Sequence, residues 1–298
     1  MRLLECIPNI SEGRDQNKIR IIANEIKKHP GVKLLDISSD IDHHRTVLTF
    51  IGEPDLVKEA ALSMALKAIE LIDMRRHKGG HPRIGAVDVV PFVPIIGIDM
   101  REAIRIAKEF GKELGKKGIP VYFYEEAATS PERKELPIIR KGEYEGLKTK
   151  LEDPAWRPDE GPSTFNPKSG ATIVGARFPL IAYNVNLKTK DINVAREIAK
   201  MVRFKDGGFP HVRAMGVELK EKGIVQVSMN LTNYKVTNIP KVYEFIKREA
   251  NEKGIEVVGS EIIGLIPLDA LENIVQSYLG YPDFSIRQVI EKRILEFE

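Results

Sequence analysis

The order of the apolar segments constrains this chain more than any single motif does. Residues 3–7 form a short apolar run. Residues 17–28 carry helical spacing at Ile19, Ile22, Ala23 and Ile26, and His29-Pro30-Gly31 stops that helix. Residues 32–38 and 46–51 read as strands around a polar turn at 39–45. Residues 54–73 read as a helix with Pro54 in its first turn, and 87–93 as a strand. A helix at 99–117 and a strand at 119–124 follow. The second half repeats the order: strands at 179–187, 212–219, 224–231 and 255–258, with helices at 191–202 and 239–253. Lys220-Glu221-Lys222-Gly223 reads as a hairpin turn and Asp191 as a helix cap. Two further helices, 267–279 and 285–296, end the chain, the first with Asp269 as a candidate cap.

Strand, helix, strand, strand, helix, strand is the split βαβ, ferredoxin-like order. The expected fold is α+β, with two such subdomains in tandem at 1–176 and 177–298. Each is an antiparallel or mixed sheet with helices packed on one face. At 298 residues the chain can bury a sizeable core. No apolar run approaches the length of a membrane span. Met1-Arg2-Leu3-Leu4-Glu5 puts an acid where a secretory signal is apolar, so a cytoplasmic location is expected. The single cysteine, Cys6, excludes a disulfide framework and reads as a small buried hydrophobe. A net charge of +3 with 30% charged residues argues against a nucleic-acid platform and suits a small anionic ligand. Abundant Lys and Glu with little Gln points to a thermophile.

Chemistry concentrates in residues 77–94, which hold His77, His81, Arg83 and Asp88. Gly79-Gly80 and Pro82 bar a helix there, so the segment is a loop feeding a strand, a placement typical of catalytic groups. The plain alternative is a solvated surface turn, and the residues alone leave the two even. His81 suits general acid–base work near neutral pH, and Arg83 offers a fork for a carboxylate. The turn at 39–45 adds Asp40, Asp42, His43, His44 and Arg45. It shares a cleft with the loop if both lie at one end of the sheet. A zinc reading of His77 and His81 competes, but the two glycines remove the helical geometry such pairs use. No metal is expected. Residues 151–176 carry the lone Trp156 and many small residues, and read as a ligand-lining joint in preference to a tether.

Several long motifs resemble the glutamate formiminotransferase family, and they span nearly the whole chain. They are Leu4-Glu-Cys-Ile-Pro-Asn-Ile-Ser-Glu-Gly-Arg14, Arg45-Thr-Val-Leu-Thr-Phe50 and Leu71-Ile-Asp-Met-Arg-Arg-His-Lys-Gly-Gly-His-Pro-Arg83. Gly142-Glu-Tyr-Glu145, Gly161-Pro-Ser-Thr-Phe165, Gly170-Ala-Thr172 and Val258-Gly-Ser-Glu-Ile-Ile-Gly-Leu-Ile-Pro267 extend them. The resemblance implies transfer of a formimino group between N-formimino-L-glutamate and tetrahydrofolate, a co-substrate, in histidine degradation. It implies two ferredoxin-like subdomains and a homodimer. It places the catalytic histidine at His81, and the pterin-binding segment at Gly161, Pro162, Ser163, Thr164, Phe165, Asn166, Pro167, Lys168, Ser169 and Gly170. A helical cyclodeaminase domain follows in bifunctional members. Here it is expected, if present in the host, on a separate protein.

Arg45, Lys78 and Arg83 are the cations nearest these motifs for the substrate carboxylates, and Asp40 is the candidate acid of a turn that departs from the family pattern. Formyl transfer between 5-formyltetrahydrofolate and glutamate, which exchanges NH for O, stays open. So does a non-catalytic pterin or small-molecule binding module.

Overall fold

Local chemistry explains most of the elements. In the computed structural model, which describes residues 1–295, the chain divides into two units, Met1–Arg177 and Phe178–Glu298. The first begins with β1 (Leu3–Cys6) and β2 (Asn9–Ile10), then α1 (Gln16–Lys27), β3 (Val32–Asp40), β4 (Arg45–Gly52), α2 (Pro54–Leu71) and β5 (Val87–Ile96). α3 (Met100–Lys116) and β6 (Val121–Glu125) follow, and β7 (Thr172–Ala176) comes last. Asp15 accepts from the N–H groups of Asn17 and Lys18 to start α1, and Asp99 accepts from Glu102 to start α3. These strands form one seven-stranded sheet. β3, β4, β1 with β2, and β5 are antiparallel neighbours, while β7 and β6 continue it parallel to β5. Leu4, Cys6, Phe50, Phe92 and Phe110 sit in a core closed by α1, α2 and α3, whose buried residues are largely Ala and Ile. Burial pushes the Cys6 thiol up, as suits an inert small hydrophobe.

The far end of this sheet is apolar on both faces. Tyr122, Tyr124 and Ile173 turn away from the three long helices into a second cluster with Ile84, Val89, Ile139, Leu147 and Leu151. That surface needs its own cover, supplied by α4 (Leu136–Arg140) and α5 (Glu143–Glu152), with Trp156 and Phe165 packed alongside. The expectation of helices on one face is therefore corrected for this unit. Neither short helix is long enough for a strong periodic signal: α4 has five residues, and α5 has ten and buries only Leu147 and Leu151. The joint read at 151–176 also ends in a strand, because Thr172-Ile-Val-Gly-Ala176 inserts between β5 and β6.

The second unit runs β8 (Ile181–Leu187), α6 (Ile192–Val202), β9 (Val212–Leu219), β10 (Ile224–Leu231), α7 (Ile239–Glu252) and β11 (Val257–Ile263). Its sheet order is β11-β8-β10-β9, with every pairing antiparallel. Asp191 and Asn238 cap the two helices. Asp269 caps nothing; it accepts from the Tyr234 hydroxyl at 2.7 Å, and the helix read at 267–279 is split into a short turn and α8 (Glu272–Leu279). The last helix is α9 (Ile290–Leu295); residue 296 of the segment read as helical lies outside the described residues. Among the described residues no helix is long and apolar enough to cross a membrane.

Candidate active site

Sheet register brings the two polar segments together. Ile10 pairs with Thr46 on one side and Val87 on the other, so β4 and β5 both begin at one edge of the sheet. The turn before β4 and the histidine loop before β5 are then stitched side by side. Gly80 N–H donates to the Asp42 carbonyl at 3.1 Å. His77 Nε2 meets the His44 carbonyl at 2.9 Å, and His44 Nδ1 meets the Lys78 carbonyl at 3.1 Å. The His44 and His77 rings stack with centroids 4.3 Å apart. His44 holds this place with φ 51°, a left-handed conformation that costs a non-glycine residue energy and occurs often at functional sites.

Hydrogen bonding assigns the rings different states. Arg83 Nε donates to His77 Nδ1 at 3.1 Å, so His77 carries its proton on Nε2 and is neutral. Burial pushes its pKa down. Both nitrogens of His44 face oxygens, the second being Glu12 Oε1 at 3.1 Å. Burial pushes the Glu12 carboxyl up. The N–H groups of Asp15 and Arg14 and the His44 ring outweigh that and hold it below its ordinary value. Glu12 was not among the expected site residues, and His44 was expected only as a member of the polar turn at 39–45. Residue types alone do not show a buried pair whose members lie 32 positions apart.

His81 is the ring with a reactive lone pair. Arg45 Nη1 donates to its Nε2 at 2.7 Å, which leaves the proton on Nδ1. Burial first, then the positive charges of Arg45, Arg140, His43 and Arg83, push its pKa down to about 3. Arg140 was also missed by the sequence reading. It comes from α4 and pairs with Asp88, whose other oxygen accepts from the Ile84 N–H at 2.8 Å. Asp40 is turned onto its own loop, where it accepts from the His43 N–H at 2.7 Å and meets His43 Nδ1 at 3.0 Å.

Arg83 is placed differently from its expected role. It is 5% exposed and donates to Glu143 at 2.8 Å and to both oxygens of Glu145 at 2.7 and 2.9 Å. Its fork is spent on the protein's own carboxylates and on His77. Lys78 and Arg83 line a groove of about 540 Å³ that Glu143 and Glu145 share. Arg83→Gln is therefore expected to lower stability by about 1–3 kcal/mol, because His77 loses its buried donor. The KM for an anionic substrate should change less than twofold. Thermal unfolding and steady-state kinetics on the variant check both halves, and a large rise in KM at unchanged stability would return Arg83 to the substrate.

The segment from Gly161 to Gly170 crosses the starts of β6, β7 and β5. At its end, Ala86 N–H donates to the Ser169 carbonyl at 2.8 Å and Ala171 N–H to the Ile84 carbonyl at 3.0 Å, which ties it to the base of the histidine loop. Asn166 Oδ1 accepts from Lys168 and Ser169, the Tyr144 hydroxyl donates to the Pro167 carbonyl, and Lys168 Nζ reaches the Glu70 carbonyl. Ser163 and Thr164 are exposed, whereas Ser169 and Gly170 are buried. A Cβ on Gly170 would lie 2.2 Å from the Ile84 carbonyl oxygen. Gly170 thus serves the junction with the loop, which corrects the expectation that it meets a flat ring. Among the described residues no group of three or more His, Cys, Asp or Glu is placed to hold a metal ion.

A half-buried histidine whose Nε2 faces a guanidinium thus lies at the meeting of two polar loops. The chain belongs to the formiminotransferase family. The family's N-terminal subdomain matches residues 3–177 and its second formiminotransferase domain matches 182–295. The glutamate formimidoyltransferase of Streptococcus pyogenes serotype M1 is 44% identical over 99% of both chains, and that of Thermoplasma acidophilum is 43% identical over 99% of this chain and 98% of its own. The formimidoyltransferase-cyclodeaminase of Rattus norvegicus is 48% identical over 91% of this chain, which spans 51% of that longer protein. Likeness to solved structures is weak: a microcompartment protein from Desulfitobacterium hafniense aligns at a TM-score of 0.23 with 9% identity.

Proposed function

We propose that this chain transfers a formimino group between N-formimino-L-glutamate and tetrahydrofolate, with His81 as the general acid and base. The observation that carries the reading is the neutral His81 ring, with its Nε2 lone pair turned to Arg45 at the junction of two loops. Near-full-length relatives named glutamate formimidoyltransferase support the substrate class. In the reaction, N5 of the pterin attacks the amidine carbon and a tetrahedral adduct forms. The C–N bond to glutamate then breaks. His81 takes the N5 proton and returns it to the departing amine, a role worth ~10²–10⁴-fold, with further gain from holding the two reactants together.

Arg45 and Lys78 supply cationic contacts for the substrate carboxylates. Asp40 acts indirectly, by holding His43 beside His81, whose rings lie 6.4 Å apart. Ser163 and Thr164, exposed in the middle of the 161–170 segment, offer the surface for the pterin. No metal takes part in this scheme. Each unit carries the strand order of a ferredoxin-like subdomain, and the first extends it with β7 and β6. A homodimer, a cytoplasmic location, a place in histidine degradation and a separate cyclodeaminase complete the reading. Purified protein given formimino-glutamate and tetrahydrofolate should release glutamate in step with formation of 5-formimino-tetrahydrofolate. No release above background would end it, and equal rates with a formyl donor would move the assignment to formyl transfer.

A further inference from the structure

The guanidinium groups around His81 have spent their hydrogen bonds unevenly. Arg83 makes four, three to Glu143 and Glu145 and one to His77. Arg140 makes one, to Asp88, and its Nε is buried with no partner. Arg45 also makes one, to His81 Nε2. A guanidinium carries five N–H donors, so among the described residues Arg45 and Arg140 keep most of theirs in reserve. A buried donor left unpaired is uncommon, and it calls for an explanation at the position where it occurs.

The charges are uneven as well. Arg45 reaches the cluster from β4 and Arg140 from α4, with His43 on the turn beside them. β5 supplies a single carboxylate, Asp88, and one of its oxygens is already taken by the Ile84 N–H. Asp40, at the end of β3, is bonded to His43. Glu143 and Glu145 are bonded to Arg83. Two half-buried guanidiniums therefore face one carboxylate.

We propose that Arg45 and Arg140 together receive a carboxylate of the substrate, and that this carboxylate draws Arg45 off His81 so that the Nε2 lone pair is free to accept a proton. Only the identity of the carboxylate rests on the formimino-transfer reading. A guanidinium prefers a carboxylate to an imidazole nitrogen, because the carboxylate brings an opposite charge and accepts two parallel N–H bonds from the fork. With Arg45 on Nε2 the base is capped. The arriving carboxylate uncaps it and also adds the missing negative charge, which moves the ring's proton affinity back toward neutral pH. The base is thus competent only when an anion is bound. The carboxylate belongs either to the glutamate donor or to the glutamyl tail of the folate, and the chemistry is the same.

Calorimetric titration of L-glutamate and of p-aminobenzoyl-L-glutamate into the wild type and Arg140→Gln tests the site and separates the two sources. Loss of about 10-fold in affinity for either compound is the expected result. NMR titration of the His81 ring adds a readout that a merely structural arginine would not move. Saturation with the bound compound should shift the ring's titration upward in the wild type, and that ligand-induced shift should shrink in Arg140→Gln. If Arg140→Gln fails to fold because Asp88 is left unpaired, Arg140→Lys keeps the charge beside Asp88 but loses the fork, and should still bind several-fold more weakly. Unchanged affinity for both compounds in the folded variant, a His81 titration that ignores the ligand, or no binding of either compound by the wild type overturns the proposal. None of these measurements needs turnover. A protein that binds through Arg140 without transferring a formimino group keeps this inference and loses the functional reading, and an active enzyme indifferent to Arg140 does the reverse.

Discussion

Alanine in place of His81 is expected to lower kcat by at least ~100-fold, because the group that moves the proton between pterin and departing amine is gone. The fold should survive, since the ring's hydrogen-bond partner is Arg45, a half-buried residue with donors to spare. The same change at His77 should cost much less in kcat and more in stability, because that ring stacks on His44 and accepts from Arg83 inside the loop. Near-normal turnover of the His81 variant would remove the mechanism, and equal losses at both positions would point to a shared metal.

A pH signature accompanies the kinetic one. The folded-state pKa of His81 is about 3, against roughly 6.5 for a free histidine. Between these values the unfolded chain binds a proton at this ring that the folded chain does not. Stability should therefore rise with pH through this window and fall as pH drops from about 6.5 toward 3. His81→Ala removes that contribution, so the slope of stability against pH should flatten there. A slope unchanged by the variant would mean that the ring is not held neutral by its surroundings.

Valine at Gly170 or Gly85 is expected to destabilise the first unit by at least about 3 kcal/mol and to take activity with it. Gly170 has φ 66° and its new Cβ would meet the Ile84 carbonyl oxygen at 2.2 Å; a Cβ on Gly85 would meet the Ala171 carbonyl oxygen at 2.1 Å. These are backbone atoms held by the bridge between the histidine loop and β7, so they cannot give way as a side-chain tip can. Bulk at Ser163, by contrast, lies in the open middle of the same segment. Ser163→Trp should leave the unfolding temperature within a degree or two while raising the KM for the pterin. Thermal unfolding of the three variants separates the cases, and a Gly170 variant as stable as the wild type would place that glycine back on a ligand surface.

Much of the scaffold was legible before any coordinates. Helices α1, α3, α6 and α7 announce themselves through an apolar face and a capping Asp or Asn, both of which are local features. The hairpin of β9 and β10 lies where the alternation and Gly223 place it. The missed elements are α4, α5 and β7, which are short and are held by contacts with distant strands. The two helices, of five and ten residues, have too few turns for a strong periodic signal.

The sequence by itself determined that residues 77–86 would be a loop with two histidines, that it would feed a buried strand, and which family carries these motifs. Backbone preference and composition act over a few residues, so they can be read in a line. Only the tertiary structure decided what each charge does. Arg83 is consumed by Glu143 and Glu145, 60 and 62 positions away, while Arg140 reaches Asp88 across 52 positions and keeps donors to spare. An arginine binds a substrate or holds a loop according to which carboxylates lie within about 3 Å of its fork. That distance is set by how strands and helices far apart in sequence pack together, so residue type and spacing alone do not reveal it.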